Sequence, residues 1–484
     1  MFSDKQVVLS EYDFALVEDV NLLATPGLNP IVAAVRLLQF AGYYGSVDLQ
    51  YGVLSPVGTL EKYRNRGLIR KLILEMIHPA ADERGDVLLF ILGIPHFYRQ
   101  FGYEYAVPHK TGRILKDPTA CFPLDLPSNN TGAQEAEPYM LREATIADIR
   151  YFVKLSTPKQ LCANANLGTY YDYAFWEFVI EAFSPIRTQN FHDVHHHACV
   201  VVDTETKKDV GISLTSHVCG RWTWEVFTLD QDQDDSDPRA VLTSRHVIPS
   251  VLRQLKSMDR TFYECYNIKL NGGVLPEEFD LEKRQRGQFP PLQFSTLLVG
   301  LTPTHPATRL LDSQGKLDPA QDGYRMYTRI GSLPKFVQTV APTLEVRLQT
   351  SAMRGTSARL QINFYRKLEG MSGRGLEIVF QNGRLVRASD WVAKTAEQEF
   401  YELRESKKQI ESQQGVNDKV DSNVQMTLKA SFAPLTFTRL ITGTLDVNEL
   451  LKRDSENYVE GGEARLLLEI LFLKTDHYVD LCWF

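Results

Sequence analysis

Residues 62–73 read KYRNRGLIRKLI, two arginines and a glycine placed where an apolar-rich segment gives way to a helix. A strand that runs straight into a helix leaves the first four backbone N–H groups of that helix unpaired. Those groups, with the positive end of the helix dipole, attract an anion. Gly67 removes the side chain where backbone has to approach a ligand, and Arg64 and Arg66 supply charge in the form best matched to phosphate oxygens. The turn at 63–69 therefore predicts a phosphate or pyrophosphate site. The patterns GxGxxG and GxxxxGK(S/T) are absent. An arginine-rich helix start facing water, with Gly67 serving only the turn, is the competing reading.

A second group of reactive side chains follows some thirty residues on. HFYRQFGYEY places Tyr98, Tyr103 and Tyr105 within eight positions. Buried tyrosines pack as core and find a partner for each hydroxyl. One within hydrogen-bond reach of a leaving thiolate also serves as a proton donor.

The elements that must position these groups are legible from periodicity. FALVEDV (14–20), PIVAAVRLLQF (30–40) and DLQYGVLSPVGTL (48–60) read as strands. Leu68, Leu72 and Met76 form one row at a spacing of four, Ile69, Ile73 and Ile77 the adjacent row, and this helix face ends near His78-Pro79. DVLLFILG (86–93) has strand length, and IPHFYRQFGYEYAV (94–107) reads as a short helix, a turn at Gly102 and a strand. Residues 109–137, rich in proline and small polar residues, read as a linker. A strand at 139 and a helix capped by Thr145 and Asp148 open a second unit. Beyond about 325, TLEVRLQT, ARLQINFYRKL, GLEIVFQNGRLVRA and NVQMTLKASF alternate polar and apolar residues as strands of one antiparallel sheet do, with Asn382-Gly383 a tight turn. Three helical segments follow: APLTFTRLITG, DVNELLKR and GGEARLLLEILFL.

Bulk properties bound the rest. A chain of 484 residues exceeds one compact core. A net charge of −7 argues against nucleic acid or an anionic membrane as the main partner, and no apolar run approaches membrane-spanning length, so an intracellular, cytoplasmic protein is expected. Six scattered cysteines without a CxxC pair suggest reduced, mostly buried thiols. His195, His196 and His197 are adjacent on a strand and alternate faces, so they read as an exposed strand start rather than a metal site. The acidic run 230–239 reads as a solvated loop.

On the motif Arg64-Asn65-Arg66-Gly67-Leu68-Ile69, and more closely on VGTLEKYRNRGLIRKLI with IPHFYRQFGYEY, the chain resembles the Gcn5-related N-acetyltransferase (GNAT) superfamily, in its enhanced-intracellular-survival branch. The resemblance implies an α/β and α+β architecture. An N-terminally abbreviated GNAT domain (1–108) and a linker (109–137) would precede a second GNAT-like domain without the cofactor motif (138–325) and a sterol-carrier-like domain (326–484). It implies acetyl-CoA as co-substrate, no metal, and an oligomer that acetylates a small-molecule amine or a protein lysine. Carried over by residue, the backbone near Val57 and Thr59 would pair with the pantetheine arm, and Arg64, Arg66, Gly67 and Leu68 would hold the pyrophosphate. Tyr98 would be the general acid and the terminal carboxylate of Phe484 the general base. Only thirteen residues precede FALVEDV, too few for the strand and two helices that open such a domain. A non-catalytic scaffold that binds acetyl-CoA or lipid is the alternative.

Overall fold

The computed structural model describes residues 14–19, 30–109, 112–116, 137–161, 165–182, 194–218, 221–230, 247–258, 297–319, 325–365, 374–392, 426–433 and 435–479. Phe484, every cysteine but Cys199, most of the expected linker and the acidic run beyond Asp230 lie outside them.

The described strands form three sheets. The first is built on a long hairpin, β2 (Ile31–Tyr44) and β3 (Val47–Thr59), turned at Gly45 with φ +60. β1 (Phe14–Glu18) pairs antiparallel with β2 over Ile31–Arg36. β3 pairs parallel with β4 (Leu88–Ile91), which lies beside β13 (Arg325–Ile330), and β5 (Glu104–Pro108) closes that side. The other side of β2 carries β8 (Ala165–Thr169) and then β19 (Asp476–Tyr478). The sheet that carries residues 62–73 thus draws β8, β13 and β19 from far beyond residue 108.

The helical run between β3 and β4 does not stop at Pro79. An α-helical turn (Leu68–Lys71) passes into a π-helical turn (Leu72–Ile77) and then a second α segment (His78–Arg84), ended by Gly85 at φ +91. Pro79 is the second residue of that second segment, directly after the π-helical turn. The wide turn changes the period from four to five. Leu72 and Ile77 are buried, as are Ile73 and His78, while Met76, expected on the inner face, is exposed.

The second sheet has the order β6–β12–β11–β10–β9–β7. Its members are β6 (Arg113–Ile114), β7 (Tyr139–Glu143), β9 (Val194–Asp203), β10 (Asp209–Val218), β11 (Arg221–Leu229) and β12 (Leu297–Val299). Thr145 and Asp148 form the expected capping box. His196, placed on an exposed strand start by sequence, is buried inside β9.

The third sheet, β16–β15–β14–β17–β18, comprises β14 (Ala358–Phe364), β15 (Gly375–Gln381), β16 (Arg384–Asp390), β17 (Met426–Phe432) and β18 (Tyr458–Val459). β14 and β17 run parallel, and Asn382 and Gly383, at φ +50 and +77, make the turn between β15 and β16. TLEVRLQT is not a strand: Ala341–Gln349 is a helix with a proline in its first turn. Leu344 and Leu348, four apart, are buried, and Val346 between them is exposed. The alternation that suggested a strand came from a residue facing water. One apolar core joins Leu38, Tyr44 and Tyr51 of the first sheet to Leu344, Phe364 and Phe437 of this unit.

Candidate active site

The site begins with a break in strand pairing. β3 is parallel to β4 over Tyr51-Gly52-Val53 opposite Leu88-Leu89-Phe90. Just beyond, Leu37 faces Leu54 and Val35 faces Val57, so Ser55 and Pro56 together oppose Arg36 in a bulge. β4 ends at Ile91 while β3 continues to Thr59, paired on one side with β2. The two parallel strands diverge there, and the backbone of Val57–Thr59 keeps an edge that no described strand occupies. Among the described residues no side chain bonds the backbone of Val57 or Thr59. The Thr59 hydroxyl is shielded from solvent and has no described partner.

β3 leads through a short 3-10 turn (Glu61–Tyr63) into Gly67, the N-cap of the helix, at φ +72. Lys71 N–H is the first to bond back, to Gly67 O at 3.1 Å. The amides of Leu68, Ile69 and Arg70 therefore face outward from the helix start. A Cβ at Gly67 would meet nothing within 4 Å. The glycine answers to backbone conformation and to open space, not to packing.

Charge is concentrated at this turn. Lys62, Arg64, Arg66, Arg70 and Lys71 fall within the ten residues 62–71, which contain no acid; Glu61 lies just before them. Arg66 is set in place: it donates to Lys62 O at 3.1 Å and lies 4.8 Å above the centre of the Tyr63 ring. The Tyr63 hydroxyl in turn donates to the Asp19 carboxylate, and that bond raises its pKa. Arg64 is exposed.

Arg70, which the sequence reading left without a role, ties the helix start to the tyrosine segment. It donates to Gln100 Oε1 at 2.5 Å and sits 5.3 Å over the Phe101 ring. Its place in the first helical turn after the Arg66-Gly67 pair was the available signal.

Tyr98 stands in a 3-10 turn (Phe97–Phe101) just past the end of β4. Its ring is 4% exposed and packs on Phe97, Phe101, Tyr103 and Tyr327, with centroids 5.0–6.4 Å away. A Cβ on Gly93 would lie 2.1 Å from this ring, so Gly93 is required by close approach. Tyr327 also accepts the His96 N–H at 2.5 Å. Tyr103 shares a 3.1 Å hydrogen bond with His78; burial raises the phenol and lowers the imidazole to about 2, so the pair is neutral.

The structure brings Val57, Thr59, Arg64, Arg66, Gly67 and Leu68 to one divergence of strands, with Tyr98 beyond the end of β4. Phe484 lies outside the described residues. No cluster of three or more metal-ligating side chains occurs among the described residues, and none of their helices is long and apolar enough to cross a membrane. Burial pushes the Cys199 thiol up to about 12, the reverse of what a thiolate nucleophile needs.

Residues 13–106 match the acetyltransferase (GNAT) domain family. The uncharacterized N-acetyltransferase YhbS of Escherichia coli K12 is 39% identical over 62 residues, 13% of this chain and 36% of that protein. The match thus spans about a third of that relative. Among solved structures, a GCN5-related N-acetyltransferase from Anabaena variabilis aligns over 96% of this chain and 89% of its own, at 12% identity and a TM-score of 0.52. An Enterococcus faecalis protein described as a probable N-acyltransferase aligns over 93% and 86%, at 12% identity and a TM-score of 0.54. The mixed α/β sheet built on residues 13–106 is of the GNAT type.

Proposed function

We propose that the protein is an acetyl-CoA-dependent N-acetyltransferase acting by direct transfer to a primary amine. The observation that carries this is the divergence of β3 and β4 beside a glycine-led helix start: one free backbone edge, outward amides and five cations within residues 62–71. A pantetheine arm bonds such an edge as a short third strand would, and a diphosphate suits the amides and guanidiniums. Val57 and Thr59 would hold the arm, and Arg64, Arg66, Gly67 and Leu68 the diphosphate.

In this reading the strand amide near Val57 stabilises the oxyanion as the amine adds to the thioester carbonyl. Tyr98 delivers a proton to the departing sulfur, and the Phe484 carboxylate accepts one from the amine. The direction of β19 supports the second role. β8 is antiparallel to β2 and β19 is parallel to β8, so β19 itself runs back along β2 in the direction of Arg36 and the bulge. The third unit, five strands with helices against them, fits the sterol-carrier-like role proposed for it, and the second unit the role of a GNAT-like domain without the cofactor motif.

A non-catalytic scaffold is the competing reading, favoured by the depth at which Tyr98 is buried. Coenzyme A release from acetyl-CoA, followed over a panel of primary amines, separates the two. Tyr98→Phe is expected to lower kcat by about 100-fold, and one alanine added after Phe484 to lower it as well, with acetyl-CoA binding retained in both. Wild-type chain that binds acetyl-CoA but acetylates no amine overturns the catalytic reading.

A further inference from the structure

The bulge and divergence of β3 and β4 occur a second time, in β11 and β12, and there the cleft is filled by the chain itself. Leu214 faces Val226 and Thr215 faces Trp224, which leaves Glu225 as the extra residue of a bulge. β11 is parallel to β12 over Trp222–Trp224 opposite Leu297–Val299, then runs on to Leu229 after β12 has ended. The correspondence with Tyr51–Val53, Leu88–Phe90 and the Ser55-Pro56 bulge is element for element. Carbonyls two residues apart on a strand share an edge. In β11 those of Glu225 and Phe227 are both taken.

Tyr478 of β19 donates its phenol hydrogen to Glu225 O at 3.0 Å, and His305 Nε2 donates to Phe227 O at 2.8 Å. His305 Nδ1 accepts the Ala307 N–H at 3.1 Å, which fixes the tautomer that presents Nε2–H to the carbonyl. Two further contacts hold β19. The Thr304 hydroxyl donates to Asp476 Oδ2 at 2.7 Å, and His477 Nε2 donates to Thr442 O at 2.8 Å. Asp476 and Tyr478 therefore meet the second unit, His477 meets the third, and the strand backbone pairs with β8 of the first sheet.

We propose that the second unit's cleft is a socket for the C-terminal strand, with Tyr478 the positioning residue seated in it. The geometry that is open to a ligand in the first unit serves in the second to hold a side chain of the same polypeptide. The socket fixes the position and direction of β19 at Tyr478. Its effect on turnover rests on the transferase reading above; the anchoring does not.

Hydrogen exchange on the full-length chain tests the anchoring directly. Tyr478→Phe removes the hydroxyl and keeps the ring, and Thr304→Val removes the second contact from the opposite partner. Loss of one such bond is expected to speed exchange of the 475–479 amides by about three- to tenfold in each variant. Unchanged exchange in both folded variants overturns the socket. In the coenzyme A release assay Tyr478→Phe is expected to lower kcat with the KM for acetyl-CoA unchanged. A purely structural residue would lower the melting temperature and leave kcat per folded molecule intact, and that result overturns the positioning role. If wild type acetylates no amine the transferase reading fails, and the exchange data alone decide the socket.

Discussion

Arg439 Nη2 lies 2.5 Å from Oε1 of Glu104, a carboxylate with no exposed surface, 335 positions away in sequence. Arg99, in the turn that carries Tyr98, holds the other oxygen at 2.9 Å. The pair couples the third unit to the tyrosine turn of the first. Removing one partner of a buried ion pair leaves the other desolvated and uncompensated. Arg439→Met is expected to cost about 3 kcal/mol in urea unfolding, the lower end of the range because Arg99 remains. The double variant Arg439→Met/Glu104→Gln should recover part of that loss. A cost below about 0.5 kcal/mol, the scale of an ordinary surface change, would show that the contact does not hold the units together.

Two glycines in the first unit should respond to alanine for different reasons. At Gly67 the strain is conformational, about 1–2 kcal/mol for a left-handed backbone, with free space for the methyl. Gly67→Ala is therefore expected to fold and to bind acetyl-CoA less well. Gly93→Ala drives a methyl into the Tyr98 ring and should lower stability by about 1–3 kcal/mol while displacing that ring. Calorimetry with acetyl-CoA, paired with thermal melts, checks both. Equal affinity for wild type and Gly67→Ala would count against ligand approach at the turn.

Acid should destabilise the fold before its carboxylates protonate. Burial lowers His78 to about 2 and His477 to about 4, below the ordinary imidazole value. A group with a depressed folded pKa contributes stability that is complete above its unfolded pKa, about 6.5, and is lost as pH falls toward the folded value. Unfolding free energy should decline from pH 6.5 to 4.5, each histidine adding at most about 1.4 kcal/mol per pH unit. His477→Gln retains a donor for Thr442 O and should remove one proton's share of that slope. Denaturant titrations across this window decide it; an unchanged slope would mean His477 is not buried as a neutral ring.

What was legible in the sequence was local. Arg66 and Gly67 at the helix start, Thr145 with Asp148, and Asn382-Gly383 each declare themselves within a few residues, and the structure has each in the expected element. The strands β2 and β3 followed from apolar runs, but not their pairing as a hairpin. What escaped depends on partners remote in sequence. Nothing near 325–330 says that β13 will lie between β4 and β5, and nothing near Tyr478 points to Glu225. The π turn was hidden because Met76 satisfies a spacing of four that the backbone does not keep. Val346 misled for a related reason: an exposed valine between two buried leucines imitates a period of two.

The central claim is that a coenzyme A diphosphate sits on the turn from Arg64 to Arg70, and it is tested most directly by titration calorimetry of the full-length chain with acetyl-CoA. One molecule per chain is expected to bind. Arg66→Met should weaken that binding by about 10- to 100-fold, the worth of a charge-assisted hydrogen bond. Absence of binding heat, or an affinity indifferent to Arg66, would contradict it.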